Sequence, residues 1–182
     1  MLVLSVINQF NLLAQYNQLM NKRQYEAAGN LSETEFCKDK GAFFKSVLGT
    51  LNHIMVGDII WLKRFTEHPS SLEPLSYILD LEKPKSLDSI LFSDFGSLRK
   101  EREKIDGVII SWIEKLTDND VNECITYTNM AGKSFTKPFA SLINHLFLHQ
   151  VHHRGQVTSL LFQYGVDFGE TDLIEIINEC SA

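Results

Sequence analysis

The sequence predicts an all-α domain, a four-helix bundle with one small β-hairpin inserted before the last long helix. Three observations carry that expectation. Four long stretches place apolar residues at three- and four-residue steps. One short stretch changes to Thr- and aromatic-containing alternation. Pro and Gly fall between these stretches instead of gathering into a linker, and no repeat or low-complexity segment interrupts them, so residues 1–182 read as one domain.

The first helix is predicted from about residue 3 to 28, with Val3, Val6, Ile7, Phe10, Leu13, Tyr16 and Met20 on one face and Gly29 ending it. Ser32 followed by Glu35 forms a capping-box pattern for a short helix. A second long helix is predicted from Ala42 to Phe65, turning Phe43, Val47, Leu51, Ile54, Met55, Ile59 and Leu62 toward the core. Residues 67–86 hold Pro69, Pro74 and Pro84, so no long helix passes through them, and a connection of that length suits a loop that helps close a pocket.

The third long helix is predicted from Asp88 to Leu116, with Ser86 as a possible cap and Leu91, Phe95, Leu98, Ile105, Ile109 and Trp112 among its buried stripe. The mixed-sign run from Arg99 to Lys104 reads as a solvated face of that helix. A hairpin is predicted within residues 122–137, turning around Asn129–Gly132. Pro138 suits the first turn of the fourth long helix, which runs to Tyr164 and stops at Gly165; a short helix is possible at Asp172 to Asn178.

With 17 Lys plus Arg against 23 Asp plus Glu, the net charge is -6, which argues against binding nucleic acid through its phosphates. No apolar run approaches the roughly 18 residues of a membrane span, and no basic residue precedes Lys22 as a secretory signal would need. Cys37, Cys124 and Cys180 are odd in number and form no CxxC pair, so they read as reduced thiols and the expected compartment is the cytoplasm.

Four of the six histidines, His145, His149, His152 and His153, lie within nine residues of the fourth helix. At about 100° per residue, His149 and His153 project from one face within reach of a single ion. His145 shares that stripe one turn earlier, and pairing of His149 with His152 is equally open to the spacing. Two imidazoles from one helix need a third ligand from elsewhere, and His53 in the second helix, flanked by the small residues Gly49 and Gly57, is the candidate. An isolated buried histidine is more often a hydrogen-bonded core residue than a ligand, and His68 beside Pro69 reads as exposed. Residues 138–164 contain no Asp or Glu, which disfavours a carboxylate-bridged dinuclear site and leaves no HExxH motif.

The segments GAFFKSVLGTLNHIMVGDIIWLKRF and NHLFLHQVHHRGQV resemble the two signature helices of the DinB family, whose members are often called DNA-damage-inducible proteins. The likeness runs from the opening QFNLLAQYNQLMNKRQYEAA to the closing YGVDFGETDLIEII. It implies a four-helix bundle, for which we take an up-down-down-up order, binding one divalent metal ion per chain through His53, His149 and His153. The resemblance thus selects His153 over His152, and makes His145 and His152 neighbours that line the pocket or orient a ligand. It also implies thiol-dependent transfer chemistry with a low-molecular-weight thiol such as mycothiol, bacillithiol or glutathione. The competing expectation is a non-catalytic stress-response protein that binds metal or a small ligand.

Zinc, nickel or iron would suit three imidazoles, which leave the ion its full charge and an open position, as in catalytic sites. The expected partners are a small-molecule substrate or thiol, with no nucleic acid and no membrane, and a homodimer is the expected oligomer. Asp58, Trp61, Arg64, Arg154 and Gln156 stand near the candidate ligands. They read more simply as structural: Trp61 in the core, Arg64 solvated or salt-bridged at a helix end, and Asp58 as a partner of Arg154.

Overall fold

The computed structural model describes residues 5–179, so Val3 and Cys180 lie outside the described residues. The chain is mostly helical with one two-stranded antiparallel sheet. Its helices are α1 (Val6–Ala28), α2 (Glu33–Cys37), α3 (Val47–Phe65), α4 (Pro69–Leu72), α5 (Ser76–Asp80), α6 (Phe95–Lys115), α7 (Asp118–Val121) and α8 (Phe139–Phe162), with a 3-10 turn at Leu173–Ile176. Strands β1 (Cys124–Thr128) and β2 (Ser134–Pro138) pair with Thr126 opposite Thr136 and lie between α7 and α8. Four helices are long. Of these, α1 packs on α6 and α8, while α3 packs on α8 and α6.

Two long helices start later than their apolar period suggests, and both delays come from capping. The Ser46 hydroxyl accepts the Gly49 amide at 3.0 Å, so α3 begins at Val47 and not at Ala42. The chain before it turns through Lys45 at φ 68°, which leaves Phe43 86% exposed instead of in the core. Likewise Asp94 accepts the Ser97 amide at 2.7 Å and starts α6 at Phe95; Ser86 bonds Asp88 and Ser89 and caps no long helix. The predicted capping box at Ser32 and Glu35 is present, and a second, unanticipated one at Thr117 and Asp120 starts α7. Gly165 at φ 73° follows the end of α8, where a left-handed residue closes the helix.

The proline-rich segment folds into α4 and α5, which cover the end of the core: Ser71, Leu75 and Ile78 are buried, and Ser71 accepts the Trp112 indole N–H at 2.9 Å. Phe65 stacks on Trp112 and meets Phe139 edge-on. His68 is buried there, not exposed: its ring stacks on Phe139, which makes it part of the core packing, and Nε2 lies 3.3 Å from a Glu123 carboxylate oxygen.

Around the middle of α3, every residue from Thr50 to Ile60 is buried, polar ones included. Asp58 forms an ion pair with Arg102 of α6, not with Arg154. Arg102 also pairs with Asp106 at 2.9 Å, and Asp106 accepts the Asn21 amide of α1 at 2.9 Å. Asn21 donates to Gln150 of α8 at 3.1 Å, and Gln150 donates back to Asp58 at 2.7 Å. This closed ring takes a member from each of the four long helices. Arg102, inside the run that reads as a solvated face, is 2% exposed, because α6 turns this one cation toward two carboxylates. Arg154 lies nearby, donating to Asn17 at 2.7 Å.

Burial raises the Asp106 pKa to about 6 against the pull of Arg102 and the Asn21 bond, and burial also raises Asp58. Arg102→Ala is therefore expected to cost about 3–5 kcal/mol, since it leaves two buried carboxylates without a cation. A carboxylate held above its unfolded pKa loses stability as pH rises, so the deficit should be smaller near pH 5 than near pH 8. Urea unfolding at both pH values measures this, and a pH-independent deficit below about 1 kcal/mol would contradict it.

Candidate metal centre

His53 sits one and a half turns before Asp58 on α3, in the stretch that the polar ring draws into the protein. Its neighbour Asn52 ties down the segment leading to α6: Oδ1 accepts the amides of Leu91 (2.8 Å) and Phe92 (3.0 Å), and Nδ2 donates to the Phe92 carbonyl at 3.0 Å. That segment brings the Leu87 carbonyl to 2.7 Å from His53 Nδ1. A carbonyl can only accept, so Nδ1 carries the proton and Nε2 keeps its lone pair. Phe44 stacks on the other face of the ring, with centroids 3.7 Å apart and planes 15° from parallel.

On α8, His149 and His153 lie one turn apart and face α3. His153 Nδ1 is 2.8 Å from Gln156 Oε1, and the Gln156 amide nitrogen is 3.3 Å from His152 Nε2. Donation to Gln156 leaves His153 Nε2 unprotonated as well. His149 is placed by packing: Nδ1 is buried without a hydrogen-bond partner among the described residues, and the ring lies against Gly57. A Cβ at position 57 would stand 2.6 Å from His149 Cε1, so the absent side chain is what lets the ring approach α3.

The three rings converge. His53 Nε2 is 3.2 Å from His149 Nε2 and 3.1 Å from His153 Nε2, and one ligand atom of each ring lies within 4.8 Å of the others. Burial lowers the pKa of all three; His149 is pushed down to about 3, first by burial and then by the neighbouring histidines. Lone pairs facing one another at such separations repel, and one shared proton relieves a single pair, whereas a cation accepts all three. Metal–imidazole bonds of about 2.0–2.1 Å put adjacent ligand nitrogens about 2.9–3.4 Å apart, so the spacing fits a divalent ion. Among the described residues no carboxylate, thiol or fourth histidine joins the group.

The remaining nearby residues stand outside this cluster. His145 is exposed, with its ring 4.9 Å from Trp61 and 6.0 Å from His149 between centroids. His152 is exposed; its ring meets that of His153 edge-on, and its hydrogen-bond link to His153 runs through Gln156. Trp61 is half-buried, meeting Tyr127 and Phe65. Arg64 is neither solvated at a helix end nor salt-bridged: its guanidinium lies 4.5 Å from the Trp61 ring centroid and 5.0 Å from that of Tyr127. Sequence reasoning missed Phe44, Asn52 and Leu87. Phe44 was hidden by the helical period and Leu87 acts through its carbonyl, which carries no side-chain signal, while Gln156, three residues after His153, carried a spacing signal without an assignable role.

In chelator-treated protein the His149 ring is expected to remain unprotonated at pH 5, where an unperturbed imidazole with a pKa of about 6.5 is largely charged. Between about 6.5 and about 3 the unfolded chain holds a proton on this ring that the folded chain lacks, so its contribution weakens the fold as pH falls. Imidazole chemical shifts across a pH titration check this; a midpoint near 6.5 at His149 would contradict the buried, converged geometry.

Neither a curated protein nor a solved structure matches the chain. A sequence model of the DinB family matches residues 6–178, from the first turn of α1 to just past the 3-10 turn, and so spans both histidine-bearing helices. The chain belongs to the DinB family.

Proposed function

We propose that the protein is a metal-dependent enzyme in which His53, His149 and His153 hold one divalent ion, zinc, nickel or iron, and which transfers a low-molecular-weight thiol onto an electrophilic small molecule. The convergence of three ring nitrogens, with the Nε2 atoms of His149 and His153 at 3.2 and 3.1 Å from that of His53, is the observation that carries this reading. The packing of α1, α3, α6 and α8 supports reading the domain as a four-helix bundle, for which we take an up-down-down-up order, with the histidines on two of its facing helices.

Bound there, a divalent ion would supply positive charge and an open coordination position, which lowers the pKa of a thiol, or of water toward about 7. The chain's own part is to keep the site ready. The Leu87 carbonyl and Gln156 hold two rings with their Nε2 atoms inward, so no proton need leave these nitrogens when a ligand arrives. Phe44 shields His53 from water, and the small residue at 57 sets the depth of His149. In the transfer, the sulfur forms a bond to an electrophilic carbon, the thiol proton goes to solvent, and the electrophile's leaving group departs with the bonding pair. The net charge of -6 supports a small-molecule partner over nucleic acid, and a cytoplasmic location would supply the thiol.

Protein purified without an affinity tag is expected to carry about one Zn, Ni or Fe per chain by inductively coupled plasma mass spectrometry, and a His53→Ala, His149→Ala, His153→Ala variant none. A folded wild type that holds no metal and takes up none would overturn the proposal. Metal-loaded protein that turns over no thiol with any electrophile would reduce it to a metal-binding protein. Gln156→Leu should weaken metal affinity about 10–100-fold while far-UV circular dichroism stays unchanged. Gly57→Ala, which drives a methyl into His149, should also impair metal uptake; unchanged affinity in both variants would mean that neither contact orients a ligand.

A further inference from the structure

A cavity of about 500 Å³ lies between the C-terminal half of α3 and the hairpin, separate from the histidine cluster. Its lining includes Ile60, Lys63, Arg64, Glu67, Lys83 and Tyr127. Three cations against one carboxylate line this space in a chain whose net charge is -6, so the local excess of positive charge runs against the whole.

Arg64 is the centre of the arrangement. Its guanidinium lies over both Trp61 and Tyr127, at 4.5 and 5.0 Å from the ring centroids, and the two rings, which meet edge-on, restrict its plane. Among the described residues it makes no salt bridge and no side-chain hydrogen bond, although Glu67 stands one turn away on the same cavity wall. Partial burial lowers its pKa, with Tyr127 alone offsetting this and no carboxylate contributing. A half-buried guanidinium with a restricted plane and free N–H donors is arranged to receive a planar or tetrahedral oxyanion in two-pronged fashion. Lys63 is steadied at the same wall by donating to the Leu79 carbonyl at 3.0 Å, and Lys83 enters from the segment before α6.

We propose that this cavity is an oxyanion-binding site in which Arg64, packed over Trp61 and Tyr127 and flanked by Lys63 and Lys83, takes the carboxylate or phosphate group of a small molecule. A series of ring contacts links the cavity's Tyr127 to the histidine cluster, from Tyr127 to Trp61, from Trp61 to His145 and from His145 to His149. Seven residues of α3 separate Arg64 from Gly57, against which His149 packs, a rise of about 10 Å. An extended molecule with an oxyanion at one end and a reactive group about that far away would span both places. This spanning role rests on the metal-enzyme reading above; anion binding at Arg64 does not.

The test is a titration of chelator-treated wild-type protein with inorganic phosphate and, separately, with succinate, at constant ionic strength, read by tryptophan fluorescence and by calorimetry. Saturable binding of at least one probe is expected, and the tighter of the two names the group preferred. Arg64→Gln should weaken that binding by at least about tenfold, the loss typical of a charge-assisted hydrogen bond, and Arg64→Lys should restore it in part. The triple histidine variant, checked for fold by circular dichroism, should bind the probe as wild type does. Because the titration uses metal-free protein, a failure of the metal reading leaves its outcome untouched. Absence of saturable binding of either anion, or equal binding in Arg64→Gln, would overturn the proposal.

Discussion

The ring of buried polar contacts from Asp58 through Arg102, Asp106, Asn21 and Gln150 back to Asp58 is the constraint on which the arrangement of the helices depends. Apolar packing is non-directional and would tolerate some sliding of one helix on another. A buried carboxylate with a single guanidinium in reach does not tolerate it, since displacement leaves a charge without a partner in a medium that solvates it poorly. The ring has a member on every long helix, so it sets their relative heights together.

The candidate metal centre inherits that register. Gln150 follows His149 directly and Asp58 follows Gly57 directly, so the bond between Gln150 and Asp58 places the His149 ring against a residue of α3 that has no side chain. His53 then faces the two α8 histidines from the same layer. The segment before α6 completes the arrangement, because Asn52 holds its backbone with three bonds and thereby delivers the Leu87 carbonyl to His53. Affinity for a cation and stability of the metal-free fold are opposed here: three neutral rings brought together favour an ion but repel one another in its absence.

Charge is distributed unevenly around this centre. The histidine cluster contributes no formal charge while its rings are neutral, and the cationic cavity on the far side of Trp61 is the feature that gives the face a sign. Trp61 and Tyr127 have a double role, closing the core at the hairpin and holding a guanidinium that has no counter-ion. An arginine placed this way contributes little to stability through electrostatics, and its restricted plane suits recognition better than folding.

Much of the fold was legible in residue order. The period of apolar positions located α1, the body of α3, the body of α6 and α8, and the alternation between 122 and 137 located the hairpin. These are local signals, since each depends on neighbours within a turn or a strand pair. The starts of α3 and α6 were displaced because a capping serine or aspartate competes with periodicity, and the period alone does not say which wins. The histidine spacing on α8 was equally legible, and the family likeness separated His153 from His152. That the three rings meet, that Arg102 turns inward from a charged run, that His68 is buried and that Arg64 lacks an anion were decided only by the tertiary structure. Each depends on groups from segments far apart in the chain, whose distances are set by packing and burial and leave no trace in local spacing.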